Sequence, residues 1–166
     1  MIAIPPLEQA LPNKVNSGTI PRFRRSLFLS DFKEARRFAT FILEKKLHDK
    51  KQTDYVKLLH SAFNTSLIIS YCRPFTRNEN RPGEASSTLG PAVNIVLDED
   101  EIKLHKMIRE RRNQVHAHTQ ASPRLIGGMD YERDFFFMRV VAPLSKSEIR
   151  ILQKIIKKWI RFLSAN

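Results

Sequence analysis

The segment RERRNQVHAHT, residues 109–119, brings three arginines, an asparagine, a glutamine and two histidines into eleven positions. It continues a helical pattern that begins at the acidic run DEDE, residues 98–101, whose carboxylates suit the positive end of a helix dipole. Ser122-Pro123 and Gly127-Gly128 follow and are expected to stop the helix. The sequence therefore predicts a helix over 98–119 whose second half concentrates charged and titratable side chains.

An ideal helical wheel, at about 100° per residue, shows how these side chains are distributed around the predicted helix. The apolar stripe comprises Leu104, Met107, Ile108 and Val115. Arg111 and His118 project along the same stripe, Arg112 lies on its shoulder, and His105 and His116 lie just beyond. Because burying an unpaired guanidinium is expensive, this end of the helix is expected to pair with carboxylates or to face a cleft or a second subunit.

The two histidines of the HAH run, His116 and His118, do not have the spacing of metal ligands on a helix. Their side chains project about 200° apart, so they would not chelate one ion. The sequence also has no HExxH motif, no cysteine cluster, no P-loop, no dinucleotide fingerprint and no serine nucleophile elbow. We therefore expect no metal site and no cofactor.

Two helices are predicted before this one. The first, in residues 30–50, is amphipathic and has Ser30 or Asp31 as its candidate N-cap. The second has Thr53 or Asp54 as its cap. It is apolar nearly all round up to Tyr71, which indicates a central, well-buried helix, and the proline at position 74 is expected to end it near residue 73.

A last helix is predicted at the end of the sequence, where Ser145 and Glu148 have the spacing of a capping box. Before it, RDFFFMRVVAP, residues 133–143, is β-like, so one or two short strands are expected between residues 125 and 142. The fold class predicted from these segments is all-α: an up-and-down bundle of four main helices with a short β insertion before the last helix.

The N-terminal residues have a different character. Residues 1–26 hold four of the nine prolines and few periodic apolar positions, so they predict an extended basic arm that ends in RFRR, residues 22–25. The remainder, 27–166, is predicted to be the helical domain. The first residues lack a charged n-region, and prolines interrupt their apolar stretch, so no signal peptide is expected.

The composition limits the class of partner. The sequence has 29 Lys+Arg against 17 Asp+Glu, a formal net charge of +12, which makes a polyanion such as nucleic acid or an acidic membrane surface a plausible partner. The single cysteine, Cys72, excludes an intrachain disulfide and fits a reducing compartment. No segment is apolar for long enough to span a bilayer. The expectation is a cytoplasmic protein without a membrane partner.

The run RRNQVHAH, residues 111–118, resembles the signature of the HEPN superfamily: an arginine, usually a polar residue after it, and a histidine after four to six intervening positions. The best match is Arg112, Asn113 and His118. The run is similar to the AbiU-like branch of abortive-infection HEPN proteins, and SYCRPFTR, residues 70–77, also resembles that branch. As architecture, the resemblance extends over residues 28–164.

The resemblance implies a metal-independent endoribonuclease that acts in phage defence or as a toxin-like effector, with RNA as substrate. A cognate antitoxin or defence partner is a further candidate partner that the resemblance implies. It implies that Arg112, Asn113 and His118 are catalytic, with Arg111 and His116 as substrate-binding residues. Histidine suits proton transfer at neutral pH, and arginine offers a fork to phosphate. Because positions 112 and 118 are about 120° apart on a helix, we expect a homodimer with a composite site.

Alternatives remain open at this point. Arg111 with His118, or Arg111 with His116, also satisfies the spacing of the signature, and Arg112 is preferred because Asn113 follows it. A non-catalytic HEPN-like module that binds RNA, a nucleotide or a partner protein would have the same architecture. A helical adaptor without a role in nucleic-acid binding is the third possibility.

Overall fold

The computed structural model describes residues 20–76, 88–119 and 142–165, with the backbone alone for 114–119. The described residues form five helices and no strand. The helices are α1 (Arg22–Glu44), α2 (Asp54–Cys72), α3 (Val93–Val96), α4 (Glu99–Thr119) and α5 (Lys146–Ser164). Short 3-10 turns follow α2 at Arg73–Phe75 and precede α3 at Gly90–Ala92. The prediction of a helical fold is confirmed for this part of the chain.

The four long helices pack in a ring, in which α1 contacts α2, α2 contacts α4, α4 contacts α5, and α5 contacts α1. In the contact between α1 and α2, Glu34 pairs with Ser70 and Phe41 stacks on Phe63, so the two helices run in opposite directions. The α1–α5 and α4–α5 pairs are also antiparallel. The described helices thus form an up-and-down bundle. The β insertion predicted between residues 125 and 142 falls almost wholly outside the described residues and stays a prediction.

Helix α1 begins about two turns earlier than the sequence predicts, with Pro21 at its N-cap position. The basic patch 22–25 therefore forms its first turn and is helical, not the end of an extended arm. Phe28 and Leu29 pack partly buried against the core, and this apolar contact explains why the helix extends past the predicted cap. The rest of the predicted arm, residues 1–19, lies outside the described residues.

The predicted caps of α2 and α5 are confirmed. The Thr53 side chain accepts a backbone N–H of the first turn of α2 at 3.3 Å. Ser145 and Glu148 form both halves of a capping box at the start of α5. Helix α4 begins in the same way: the Asp98 carboxylate accepts the Glu101 N–H at 2.9 Å, and the Glu101 carboxylate accepts the Asp98 N–H at 3.1 Å. These local signals therefore determine where three of the helices start.

Helix α2 is less buried than its apolar pattern predicts. Leu67 and Tyr71, in its C-terminal half, are fully buried, whereas Tyr55 and Leu58, in its N-terminal half, are 72% and 67% exposed. The helix ends at Cys72, as expected from the proline that follows. Apart from His60, which is 6% exposed, the buried residues of α2 lie in the half that packs in the centre of the bundle, so the prediction of a well-buried helix holds mainly for that half.

An aromatic cluster anchors the turn that follows α2. The Phe32 and Trp159 rings stack with their centroids 5.9 Å apart. Phe75 lies edge-on to both, at 5.9 Å from Phe32 and 5.2 Å from Trp159. The cluster holds the end of α2 against α1 and α5. Among the described helices, none combines the length and the apolar character needed to cross a membrane.

Candidate functional site

A cavity of about 270 Å³ lies between the second half of α4 and the segments on either side of residues 77–87. Helix α4 contributes Arg109, Arg112 and Asn113 to its lining. The opposite wall comprises Cys72, Phe75, Thr76, Thr88 and Gly90. The structure therefore places Arg112 and Asn113, two of the three residues predicted to be catalytic, side by side in one cavity.

Hydrogen bonds hold the wall opposite α4 together. The Thr76 hydroxyl donates to the Cys72 carbonyl at 2.8 Å, which closes the turn after α2. The backbone N–H of Leu89 donates to the Pro74 carbonyl at 3.0 Å and joins the segment before α3 to this turn. Cys72, Phe75 and Thr76 of the run SYCRPFTR thus form part of the cavity wall.

Arg73 belongs to this turn but points toward α1 instead of the cavity. Its Nη1 lies 2.9 Å from Oε2 of Glu34 and 3.3 Å from Oδ1 of Asp31. The same Glu34 oxygen accepts the hydroxyl of Ser70 at 2.8 Å. Burial raises the pKa of Asp31, although Arg73 acts in the opposite direction. Asp31, predicted to cap α1, pairs instead with Arg73, and these carboxylates balance the Arg73 charge outside the cavity.

Arg109 and Arg112 have no such partners in the described part of the chain. None of the described lining residues carries a carboxylate, and neither arginine forms an ion pair with a described residue. Arg112 Nη1 donates to Oδ1 of its neighbour Asn113 at 3.4 Å. The described cavity therefore carries two positive charges without a compensating negative one, which favours an anionic ligand.

Cys72 lines the cavity without being a reactive group. Burial raises the pKa of its thiol to about 12, although Arg112 and Arg109 act in the opposite direction. The Sγ atom lies 4.0 Å from the carbonyl oxygen of Ile108, to which the thiol donates. Because a thiolate is the nucleophilic form of cysteine, a thiol that stays protonated at neutral pH is a structural part of the wall.

Arg111 is sequence neighbour to Arg112 but has a different environment. Its Nη2 lies 3.6 Å from Oε1 of Glu148, and its Nη1 donates to the Ala142 carbonyl at 3.3 Å. Arg111 does not line the described cavity. Its described contacts join α4 to the start of α5, and the substrate-binding role expected for it stays a prediction.

The two histidines of the motif belong to α4, whose helical backbone continues to Thr119. His118 lies six residues after Arg112, about 9 Å further along the helix axis. The side chains of His116 and His118 lie outside the described residues. The structure thus brings Arg112 and Asn113 together, and the roles of the two histidines stay predictions.

His105 lies on the buried face of α4, whereas the helical wheel placed it beyond the shoulder of the apolar stripe. The residue is 2% exposed, its Nδ1 shares a hydrogen bond of 2.8 Å with the Tyr71 hydroxyl, and its ring lies 4.6 Å from that of Phe75. Burial lowers the pKa of His105 to about 4, and Arg109 and Lys106 act in the same direction. His105 is therefore neutral at physiological pH and packs behind the cavity wall.

Arg109 is the functional candidate that sequence reasoning missed. It was present in the opening motif, but the family signature was matched at Arg111 and Arg112. The spacing of three residues between Arg109 and Arg112 was the available signal, because side chains three apart are neighbours on one face of a helix. What the sequence could not show is the wall that this face meets.

Among the described residues, no group of three or more His, Cys, Asp or Glu side chains is placed to hold a metal ion. No family model, curated protein or solved structure significantly matches the chain. The function is therefore inferred from the cavity and from the motif on α4.

Proposed function

We propose that this protein is a metal-independent endoribonuclease of the HEPN type, acting in phage defence or as a toxin-like effector. The observation that carries the proposal is the position of Arg112 and Asn113 in a cavity whose described lining is basic and contains no carboxylate. A guanidinium in such a cavity offers two parallel N–H groups to the phosphate of an RNA chain.

The proposed reaction is transesterification within RNA. The 2′-hydroxyl loses its proton and attacks phosphorus, and the 5′-oxygen leaves with a proton, so the products are a 2′,3′-cyclic phosphate and a 5′-hydroxyl end. Arg112, which is half-buried, stabilises the negative charge that develops on the phosphoryl oxygens. Asn113 orients Arg112 through their hydrogen bond of 3.4 Å. His118 supplies proton transfer.

The proposal includes a homodimer. Positions 112 and 118 are about 120° apart around an ideal helix, so one copy of α4 does not present both side chains to the same point. A second copy placed against this end of α4 would bring its own motif to the cavity. The catalytic site is then composite, with groups from both protomers.

Basic residues on the surfaces of α1 and α5 support RNA as the ligand. The exposed lysines and arginines on these two helices include Lys33, Arg36, Arg37, Arg150, Lys154, Lys157 and Arg161. Such side chains contact phosphates without reading base sequence. They add affinity for a polyanion outside the cavity itself.

The second candidate is a non-catalytic module that binds RNA or a nucleotide. The observation in its favour is that the described lining offers no group for proton transfer at neutral pH, since Cys72 has a pKa of about 12 and His105 is buried behind Phe75. A helical adaptor that binds no nucleic acid is the third candidate.

One assay separates the three. The purified protein is incubated with single-stranded RNA in EDTA, and cleavage and binding are measured for the wild type and for His118→Ala and Arg112→Ala. Cleavage in EDTA that both substitutions abolish supports the ribonuclease. Binding without cleavage supports the second candidate, and the absence of both supports the adaptor.

A further inference from the structure

Arg109 and Arg112 act on one region of the cavity. They are three residues apart on α4 and both line it, Arg109 with an exposed and Arg112 with a half-buried side chain. Both charges act on the thiol of Cys72 on the opposite wall. Burial raises the pKa of this thiol, and each arginine acts to lower it. The two guanidinium groups therefore flank a common space rather than two separate surfaces.

Neighbouring arginines outside the cavity do have carboxylate partners among the described residues, unlike the two arginines that line it. Arg73, in the turn after α2, pairs with carboxylates of α1. Arg111, next to Arg112, pairs with Glu148 of α5. Arg109 and Arg112, which face the cavity, have no described carboxylate within ion-pair distance. In the described part of the chain, they differ in this respect from Arg111 at the same end of α4.

Neutral donors complement the two charges. The Oγ1 atom of Thr88 accepts the N–H of Gly90 at 3.4 Å, and its own hydroxyl hydrogen has no acceptor among the described residues. The Oδ1 atom of Asn113 accepts from Arg112, and its amide NH₂ group has no acceptor among the described residues. The site thus offers forks from two arginines together with a hydroxyl and an amide donor, and all of these groups match the oxygens of phosphate.

The charge and the volume of the cavity narrow the class of phosphate. A phosphodiester within an RNA chain carries one negative charge, whereas a phosphate monoester carries about −1.5 to −2 at pH 7. The cavity of about 270 Å³ is smaller than the roughly 300–1,000 Å³ of pockets that enclose drug-sized ligands, so its size matches a small group such as a phosphate with part of its sugar. Two guanidinium groups that form no ion pair with a described residue match the monoester in charge.

We infer that Arg109 and Arg112 form a clamp for a dianionic phosphate monoester, which is either the terminal phosphate of an RNA or that of a mononucleotide. The inference rests on the proposed function only in treating Arg112 as a phosphate ligand. It does not depend on cleavage.

Binding of RNA that cannot be cleaved tests the clamp separately from the ribonuclease. Fluorescent 2′-O-methyl oligonucleotides, which lack the attacking hydroxyl, are prepared with a phosphate at the 5′ end, a phosphate at the 3′ end, or hydroxyls at both. We expect the full chain to prefer one phosphorylated probe over the hydroxyl probe by about tenfold or more. The preference should decrease below about pH 6, where the dianionic monoester takes up a proton and becomes a monoanion.

Variants identify the residues responsible. Arg109→Ala and the more conservative Arg109→Gln should both abolish the preference for a terminal phosphate. Arg150→Ala, which removes an exposed arginine of α5 away from the cavity, should weaken all probes equally and keep the preference. Circular dichroism checks that each variant is folded.

Competition by adenosine monophosphate at similar affinity would identify a mononucleotide as the ligand, and weak competition would identify an RNA end.

Two results would overturn the inference: equal binding of phosphorylated and hydroxyl probes by the wild type, or an unchanged preference in both Arg109 variants. Cleavage of unmodified RNA is measured in parallel. If the wild type cleaves no RNA but prefers the phosphorylated probe, the ribonuclease proposal fails and the clamp stands. If it cleaves RNA without any such preference, the clamp fails and the ribonuclease stands.

Discussion

The Nη2 atom of Arg111 lies 3.6 Å from Oε1 of Glu148, and the other carboxylate oxygen of Glu148 accepts the backbone N–H of Ser145 at 2.6 Å. One carboxylate thus caps α5 and holds it to α4. Arg112, the next residue along the chain, lines the cavity on the α2 side of the same helix. Arg111 therefore contributes to the contact between α4 and α5, whereas Arg112 contributes to the candidate site.

Arg111→Ala is expected to lower the free energy of unfolding by about 1 kcal/mol, because it removes a partly buried ion pair and the hydrogen bond to the Ala142 carbonyl. Arg112→Ala should change stability by less, since Arg112 has no described carboxylate partner. Urea denaturation of both variants checks this. A larger loss of unfolding free energy in Arg112→Ala than in Arg111→Ala would show that Arg112, and not Arg111, has the structural role.

Arg112→Lys is expected to restore little of the RNA cleavage lost in Arg112→Ala. A single point charge replaces a planar fork that binds two phosphoryl oxygens, and removing such a donor costs on the order of 10²–10³ in kcat. Single-turnover cleavage of a labelled RNA gives the rate constants. Full activity of the lysine variant would mean that charge alone is needed at this position.

His118→Ala is expected to reduce cleavage by about 10²–10⁴-fold, the typical contribution of a general acid or base, while RNA binding is retained. His116→Ala is the internal control and should have a milder effect, because the two positions are about 200° apart around the helix. If His116→Ala is inactive and His118→Ala is active, the catalytic residues are Arg111 and His116 instead. Two active variants would leave the binding module as the better proposal.

Cys72→Ser is expected to keep RNA cleavage at the wild-type level, and thiol alkylation at neutral pH should be slow. Burial raises the pKa of this thiol to about 12, so the reactive thiolate is scarce, and a serine hydroxyl can still donate to the Ile108 carbonyl. Activity assays and the rate of alkylation test both statements. Loss of activity in a folded, stable Cys72→Ser protein would reveal a nucleophilic or redox role.

The stability of the protein should decrease as the pH falls from about 6.5 towards 4. Burial lowers the pKa of His105 to about 4 from the ordinary histidine value of 6.5, so between these values the unfolded chain binds a proton that the folded protein does not. We expect His105 to account for about 2 kcal/mol of the loss between pH 7 and pH 5. Urea unfolding of His105→Gln should show a correspondingly smaller change. An identical pH dependence in both proteins would mean that His105 accepts a proton without unfolding.

The proposed composite site predicts a homodimer at micromolar concentration. Sedimentation velocity of the wild type should give a single species of twice the chain mass. A mixture of His118→Ala with Arg112→Ala should regain part of the activity if the two groups come from different protomers. A monomer that cleaves RNA would contradict the composite site and place all catalytic groups in one chain.

Sequence alone determined the elements whose signals are local. The caps at Thr53 and Ser145, the end of α2 before Pro74 and the continuation of α4 through the histidine motif follow from residues within one or two helical turns of each other. Such signals act through backbone hydrogen bonds that the neighbouring residues themselves make. They do not require knowledge of the rest of the fold.

Tertiary structure decided which side of each helix meets which neighbour. A helical wheel gives the angle between side chains, but not the partner that each angle faces. Packing against the core extended α1 back to Arg22, buried His105 beside Tyr71, and turned Arg111 toward Glu148. It also put Arg109 beside Arg112 in the cavity, because the wall opposite them comes from residues more than ten positions away along the chain. Contacts of that range depend on the relative placement of whole helices, which short-range sequence patterns do not encode.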